Sequence, residues 1–317
     1  MEIALLLVPW LALLTLSVYV LLRGADAFVA GASRLGVIWG LGPFVVGVLI
    51  VGLGTSLPEL ATSIAALGKG ANEIILANVV GSNITNILLV GGFLALLSKR
   101  IQIKENLLLS ELPLFTIATV HFVLIMHDGI VSRLEGWLLV GTLAAYLWYL
   151  WNHAGDHPVA AQVEPQKDDD PYEAFTYALG GVLVTILGAH YTIVALLEVA
   201  TLMLVPVSVL SIVLVALGTS LPELAVSFQA VRRGEAEMAI GNIFGSNAFN
   251  ILLVAGIPAL FVPLISAEVV QGLGLYVMVA ASVIFFVHGL ARQLRPWEGM
   301  MMLLFYGFFL VSLLEYI

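Results

Sequence analysis

The chain has 317 residues, of which 61% are hydrophobic and only 10% charged, with a mean hydropathy of +1.08. Soluble domains carry roughly 25% charged residues, so this composition excludes a water-covered surface and requires lipid around much of the protein. A net charge of −9 argues against a nucleic-acid partner, and the absence of cysteine excludes disulfides, thiolate metal sites and cysteine nucleophiles.

A membrane span takes about 20 apolar residues at 1.5 Å per residue. Ten segments qualify: 3–22, 42–67, 72–97, 106–126 and 130–151, then 173–198, 205–231, 236–262, 267–290 and 298–316. The first lacks the basic leader of a signal peptide, because only Met1 and Glu2 precede it, so it reads as a permanent helix. The stretch 23–41 either extends that helix or lies along the interface. Residues 152–171, NHAGDHPVAAQVEPQKDDDP, form the one extended polar stretch and read as a linker between a first five-helix unit (1–151) and a second (172–317). Asp168, Asp169 and Asp170 read as a solvated acidic loop in preference to a regulatory calcium site.

Lysine and arginine set the expected orientation. Connections of odd number hold Arg23, Arg34, Lys99, Arg100, Lys104, Lys167, Arg232, Arg233, Arg292 and Arg295, whereas even ones hold Lys69 and Arg133. The positive-inside rule then places the odd connections and the linker in the cytoplasm and both termini outside. The short linker suggests a prokaryotic inner (plasma) membrane.

The most informative feature is internal. Residues 54–90 read GTSLPELATSIAALGKGANEIILANVVGSNITNILLV, and residues 218–254 read GTSLPELAVSFQAVRRGEAEMAIGNIFGSNAFNILLV. They align without a gap at an offset of 164, with 21 identities in 37 positions, so one unit duplicated. Each copy occupies the second and third helices of a five-helix unit. Five is odd, so the two units insert with opposite orientation. The expected fold is therefore an all-α membrane protein of ten transmembrane helices in two inverted five-helix repeats, the architecture of secondary transporters that bind cargo at the midplane. The repeat extends upstream, where Gly24, Ala25 and Asp26 match Gly188, Ala189 and His190.

Glu59 and Glu223 fall near the middle of helices 2 and 7, where a carboxylate costs about 2.5–3.5 kcal/mol on insertion scales. No lysine or arginine lies mid-span in helices 2, 3, 7 or 8. The partner must be a cation, a proton or a set of hydrogen-bond donors. Thr55 and Ser56 share a helix face with Glu59, as Thr219 and Ser220 do with Glu223. Asn78, Ser82 and Asn86 stripe helix 3 at i, i+4 and i+8, and Asn242, Ser246 and Asn250 stripe helix 8. Every ligand is oxygen, with no His, Cys or Met in the stripes, which suits calcium, sodium or magnesium rather than zinc, copper or iron. Magnesium ranks below calcium because it sheds water reluctantly. Pro58 and Pro222 cannot donate to the carbonyls of Gly54 and Gly218, so helices 2 and 7 should break around Thr55 and Thr219 and turn main-chain carbonyls toward a cavity.

Taken singly, a membrane serine or threonine bonds the i−4 carbonyl, an asparagine joins helices and a buried glutamate packs protonated. Duplicated at fixed spacing on opposed helices, these residues read instead as one ion site. Asp26, Glu111, His121, Asp128, Glu135, His190 and Glu198 lie nearer helix ends or lack a matched partner; Asp26 and His190, being repeat-equivalent, are candidates for tuning a gate.

GTSLPEL followed by GSNxxN, present twice, resembles the alpha-repeats of the calcium/cation antiporter superfamily, and most of all prokaryotic sodium/calcium exchangers. The resemblance implies a diamond of cation sites centred on Glu59 and Glu223. Oxygens would come from Thr55, Ser56, Ser82, Thr219, Ser220 and Ser246, carbonyls from Gly52 and Ala216, and central amides from Asn86 and Asn250. Some family members carry aspartate where this chain has Asn250, so two formal negative charges remain here. They balance one calcium or two sodium ions, and a third sodium would bind with excess positive charge. The resemblance further implies alternating access, with helices 1 and 6 sliding as a gate, sodium and calcium as transported ions, no cofactor, no enzymatic activity and no obligate protein partner. A calcium-sensing domain like that of larger members has no room in the linker. The alternative keeps the fold and couples calcium, or another divalent ion, to protons. A channel is disfavoured by inverted repeats with proline-broken helices, and an intramembrane aspartyl protease by the use of two glutamates.

Overall fold

The computed structural model describes residues 2–98, 101–103, 111–153, 170–204 and 218–315, with the side chains of 2–5, 111, 150, 151 and 153 excepted. Ten helices follow in chain order. They are α1 (Glu2–Trp39), α2 (Pro43–Gly68), α3 (Glu73–Leu97), α4 (Glu111–Ile125) and α5 (Arg133–His153), then α6 (Pro171–Leu202), α7 (Leu221–Arg232), α8 (Ala236–Phe261), α9 (Val270–Ala291) and α10 (Pro296–Leu314). Seven of them are long and apolar enough to cross a membrane, and α4 with its following turn forms a shorter apolar helix. The protein is an integral membrane protein. The expected starts of helices 4 and 7, Ala216 and residues 154–169 of the linker lie outside the described residues.

α1 does not end at Leu22 but continues to Trp39. A single helix satisfies its own backbone across the boundary where the apolar run stops, and Arg23 and Arg34 extend from its sides. Proline opens α2, α6 and α10, where its missing N–H is no loss. Asp170 caps α6 by accepting from the Tyr172 amide at 2.9 Å.

α2, α3, α7 and α8 make the centre. Every residue of α8 from Met238 to Phe249 is buried. At the α2–α8 crossing, a Cβ on Gly52 would stand only 3.0 Å from Gly245, so the two backbones touch. α1 and α6 pair along the outside of this core. A Cβ on Gly24 would strike the Thr185 backbone, and one on Gly188 would strike Leu21. These two glycines are repeat equivalents, and each lies against the opposite helix, so the long helices cross in direct backbone contact.

Two short antiparallel ribbons tie the connections together. β1 (Ile101–Gln102) pairs with β4 (Gln293–Leu294), and β2 (Ile130–Val131) with β3 (Leu264–Ile265). The offset of 164 carries β1 onto β3 and β2 onto β4, so one ribbon is the repeat image of the other. One ribbon joins connections 3 and 9, the other joins 4 and 8. Odd thus meets odd and even meets even, as an inverted ten-helix arrangement demands.

Candidate functional site

The break in α2 falls at Ser56, and α7 begins directly after the repeat-equivalent Ser220. Ser56 leaves helical geometry at φ −81°, ψ −1°, and Ser220 at φ −88°, ψ 5°. The segments resume at Leu57 and Leu221, which places Pro58 and Pro222 in a first helical turn, where proline is accommodated. The expected interruption is present in α2, one residue beyond Thr55; in the second repeat the residues before Gly218 lie outside the described ones. Preceding the first break, Gly47–Gly52 is wound as a π-helical turn. Two more π-helical turns, Thr85–Gly91 in α3 and Asn250–Ala255 in α8, are repeat-matched and contain Asn86 and Asn250. Hydrophobic periodicity gave no sign of them; such turns commonly mark functional positions in helices.

The breaks reach across the repeats. Thr55 Oγ1 donates to Asn242 Oδ1 at 3.1 Å and lies 3.1 Å from Ser246 Oγ. In the matching arrangement, Thr219 Oγ1 donates to Asn78 Oδ1 at 3.2 Å and lies 3.0 Å from Ser82 Oγ. Asn78 and Asn242 are therefore organisers of the site. Their place in the polar stripes was visible in the sequence, but their bonding to the opposite repeat was not. Their amides reach back within their own repeats, to the Glu59 carbonyl at 3.4 Å and the Glu223 carbonyl at 3.5 Å. Asn242 also donates to buried Ser227 at 2.8 Å. The Gly52 carbonyl accepts from the Ser56 amide at 3.1 Å, with the Thr55 and Ser246 hydroxyls each at 3.4 Å. That puts one of the two expected carbonyls among these hydroxyls; Ala216, the other, is outside the described residues.

Glu59 and Glu223 are completely buried. Although the Thr219 hydroxyl lies toward Glu59 and the Thr55 hydroxyl toward Glu223, no hydrogen bond of ordinary geometry reaches any oxygen of either carboxylate among the described residues. The same holds for the Ser56 and Ser220 hydroxyls and for both polar atoms of the Asn86 and Asn250 side chains, all buried. Leaving one neutral polar group unpaired in a protein interior costs about 1–3 kcal/mol, and a carboxylate costs more. A bound hard cation satisfies such a set at once, because carboxylate, hydroxyl, amide and main-chain oxygens are its ordinary ligands. No cluster of three His, Cys, Asp or Glu side chains occurs among the described residues, so the acidic part of the set is these two glutamates.

The other repeat-equivalent pair diverges. Asp26 accepts from Arg233 Nε at 2.7 Å, with Arg23 at 3.9 Å, whereas His190 packs edge-on against Tyr191 at 5.2 Å between ring centres. Asp128 and Glu135 serve as local caps, accepting from the amides of Ile130 at 3.0 Å and Ser132 at 2.7 Å.

Inverted repeats, a helix broken at its polar turn and a shared oxygen-lined interior define a cation-transporting membrane protein. Comparison with known proteins supports that class. The model of the sodium/calcium exchanger protein family matches residues 9–152 and 173–314. The sodium/calcium exchanger MaX1 of Methanosarcina acetivorans is 32% identical over 341 residues, covering 95% of this chain and 97% of its own. The inner membrane protein YrbG of Escherichia coli is 35% identical over 312 residues, covering 94% of each. The solved structure of the sodium-calcium exchanger NCX_Mj, soaked with 2.5 mM Na+ and 10 mM Sr2+, superposes with a TM-score of 0.83 at 27% identity over 96% of this chain and 99% of its own. The chain belongs to the sodium/calcium exchanger family, a family of cation antiporters and not of enzymes.

Proposed function

We propose that the protein exchanges sodium for calcium across the membrane by alternating access to the site between Glu59 and Glu223. One observation carries this reading: four buried carboxylate oxygens that no hydrogen bond of ordinary geometry satisfies among the described residues, flanked by unpaired hydroxyl and amide oxygens from both repeats. The proposed ligands are Glu59, Glu223, Thr55, Ser56, Ser82, Thr219, Ser220, Ser246, Asn86 and Asn250, with carbonyls from Gly52 and, by repeat equivalence, Ala216. Sodium and calcium are cargo, and no cofactor or obligate protein partner takes part.

Both cations compete for the same two carboxylates. Exchange without leak requires that the unloaded site cross slowly, and two bare carboxylates in a dry interior supply that barrier. α1 and α6 are the moving pair: they lie outside the core and touch each other through Gly24 and Gly188. Two negative charges match one calcium or two sodium ions, so coupling beyond two sodium ions per calcium moves net positive charge with the site. The five-helix units 1–151 and 172–317 act as the two inverted halves. The arginine-rich odd connections and the 152–171 linker face the cytoplasm, both termini face outward, and the membrane is the plasma membrane.

The test is calcium uptake into proteoliposomes loaded with sodium, against potassium-loaded vesicles and vesicles with an imposed proton gradient. Uptake should need internal sodium and vanish in Glu59→Gln and Glu223→Gln. Uptake driven by protons alone would replace this reading with calcium/proton antiport, and flux of manganese or magnesium without calcium would change the cargo.

A further inference from the structure

A cavity of about 340 Å³ opens between the middle of α1 and the end of α7. Tyr19, Arg23 and Asp26 line it from α1, and Gln229, Arg232 and Arg233 from the end of α7. Three guanidinium groups thus face one carboxylate. Asp26 is engaged by Arg233 at 2.7 Å and more loosely by Arg23 at 3.9 Å. Arg232 rests over the Phe228 ring at 5.7 Å. Two positive charges are left without an acidic counterpart in the cavity wall. Tyr19, 62% exposed, stands at the cavity wall on α1, and aromatic rings of this kind favour the headgroup level of a membrane. Gln229 holds the two walls together by donating to the Leu22 carbonyl at 3.1 Å.

The other half of the molecule has no counterpart. At the offset of 164, Arg23, Arg232 and Arg233 correspond to Leu187, Gly68 and Lys69, and Asp26 to His190. The basic cavity is thus not a by-product of the duplication that made the ion site. Interspersed basic residues at a membrane boundary are ordinary, but these converge from two elements on one concave space.

We propose that this cavity binds a phosphate group, with Arg23 and Arg232 as its principal ligands. Guanidinium forks match phosphate oxygens in geometry and charge. The position at the membrane boundary favours the headgroup of an anionic phospholipid, whose acyl chains continue along the exposed face of α1 beside Tyr19. Bridging α1 to α7 at this point, the phosphate holds the pair in the arrangement seen here. This last consequence rests on the reading of α1 as a moving helix; the binding itself does not.

The experiment measures thermal unfolding and lipid retention by native mass spectrometry for the full chain in three settings. These are phosphatidylcholine nanodiscs, the same nanodiscs with added phosphatidylglycerol, and phosphatidylcholine nanodiscs with millimolar inorganic phosphate. Wild type should retain phosphatidylglycerol and unfold at higher temperature with it. The double variant Arg23→Gln/Arg232→Gln should bind it roughly thirtyfold more weakly, as two lost basic contacts imply. A matching response to inorganic phosphate would identify a phosphate site open to soluble anions, and a response to the lipid alone would identify a headgroup site. Equal retention by wild type and double variant, or no response to either ligand, would overturn the proposal. Sodium and calcium affinities of the double variant in phosphatidylcholine serve as the check on its fold, since neither arginine belongs to the ion site.

Discussion

Thr55 of the first repeat donates to Asn242 of the second across 3.1 Å, and this bond shows how the site is shared. The threonine of each repeat bonds to the polar stripe of the other, so neither half forms its part of the site alone. Thr55→Val and Thr219→Val should therefore have matching effects. Each removes bonds to a buried asparagine and serine as well as a proposed ligand oxygen. At about 1–2 kcal/mol apiece, cation affinity should fall roughly five- to thirtyfold. Thr55→Ser and Thr219→Ser should stay near wild type, and isothermal titration with calcium separates the two classes.

Asn250→Asp adds a third carboxylate to the proposed site. A unit charge 4 Å from a cation gives about 4 kcal/mol at an effective dielectric of 20, but burial of another carboxylate removes most of that gain. Calcium affinity should rise by on the order of tenfold. The reversal potential of exchange should also shift toward more sodium ions per calcium, which a proteoliposome flux assay at clamped potential reads directly.

Glu235, in the connection between α7 and α8, accepts from Ser33 of α1. Burial raises its carboxyl above the ordinary range, against opposing pulls from the Ser33 hydrogen bond and the Arg233 charge. A raised carboxyl value means that the fold favours the protonated form. Its contribution is complete below the ordinary carboxylate value and is lost as pH rises through the raised one. Wild type should lose thermal stability over that window, and Glu235→Gln should not. An identical pH profile for both proteins would sink the idea.

Gly24→Leu and Gly188→Leu place side chains where the opposing backbone already sits. Overpacking of this kind costs about 1–3 kcal/mol, so both should lower the unfolding temperature and slow uptake. Gly180→Leu, at a position on α6 with open space around it, should do neither. Unfolding curves and initial uptake rates of the three variants provide the measurement.

The sequence alone determined the solvent, the number of helices, the inverted duplication and the acids at its centre. Each follows from one-dimensional quantities: apolar run length, parity of spans, a constant offset and the cost of a mid-span carboxylate. The proline break in α2 was legible for the same reason, since a missing N–H acts within a single turn. Only the tertiary structure decided that Thr55 belongs with Asn242 and Thr219 with Asn78, because bonds between repeats depend on how α2 crosses α8. It also decided that α1 continues beyond Leu22 and that π-helical turns carry Asn86 and Asn250, for winding is set by neighbours and leaves no period of its own. Finally, it separated Asp26 from His190. Those positions are equivalent in the duplication, but one faces Arg233 and the other Tyr191, and chemistry follows the neighbour rather than the ancestry.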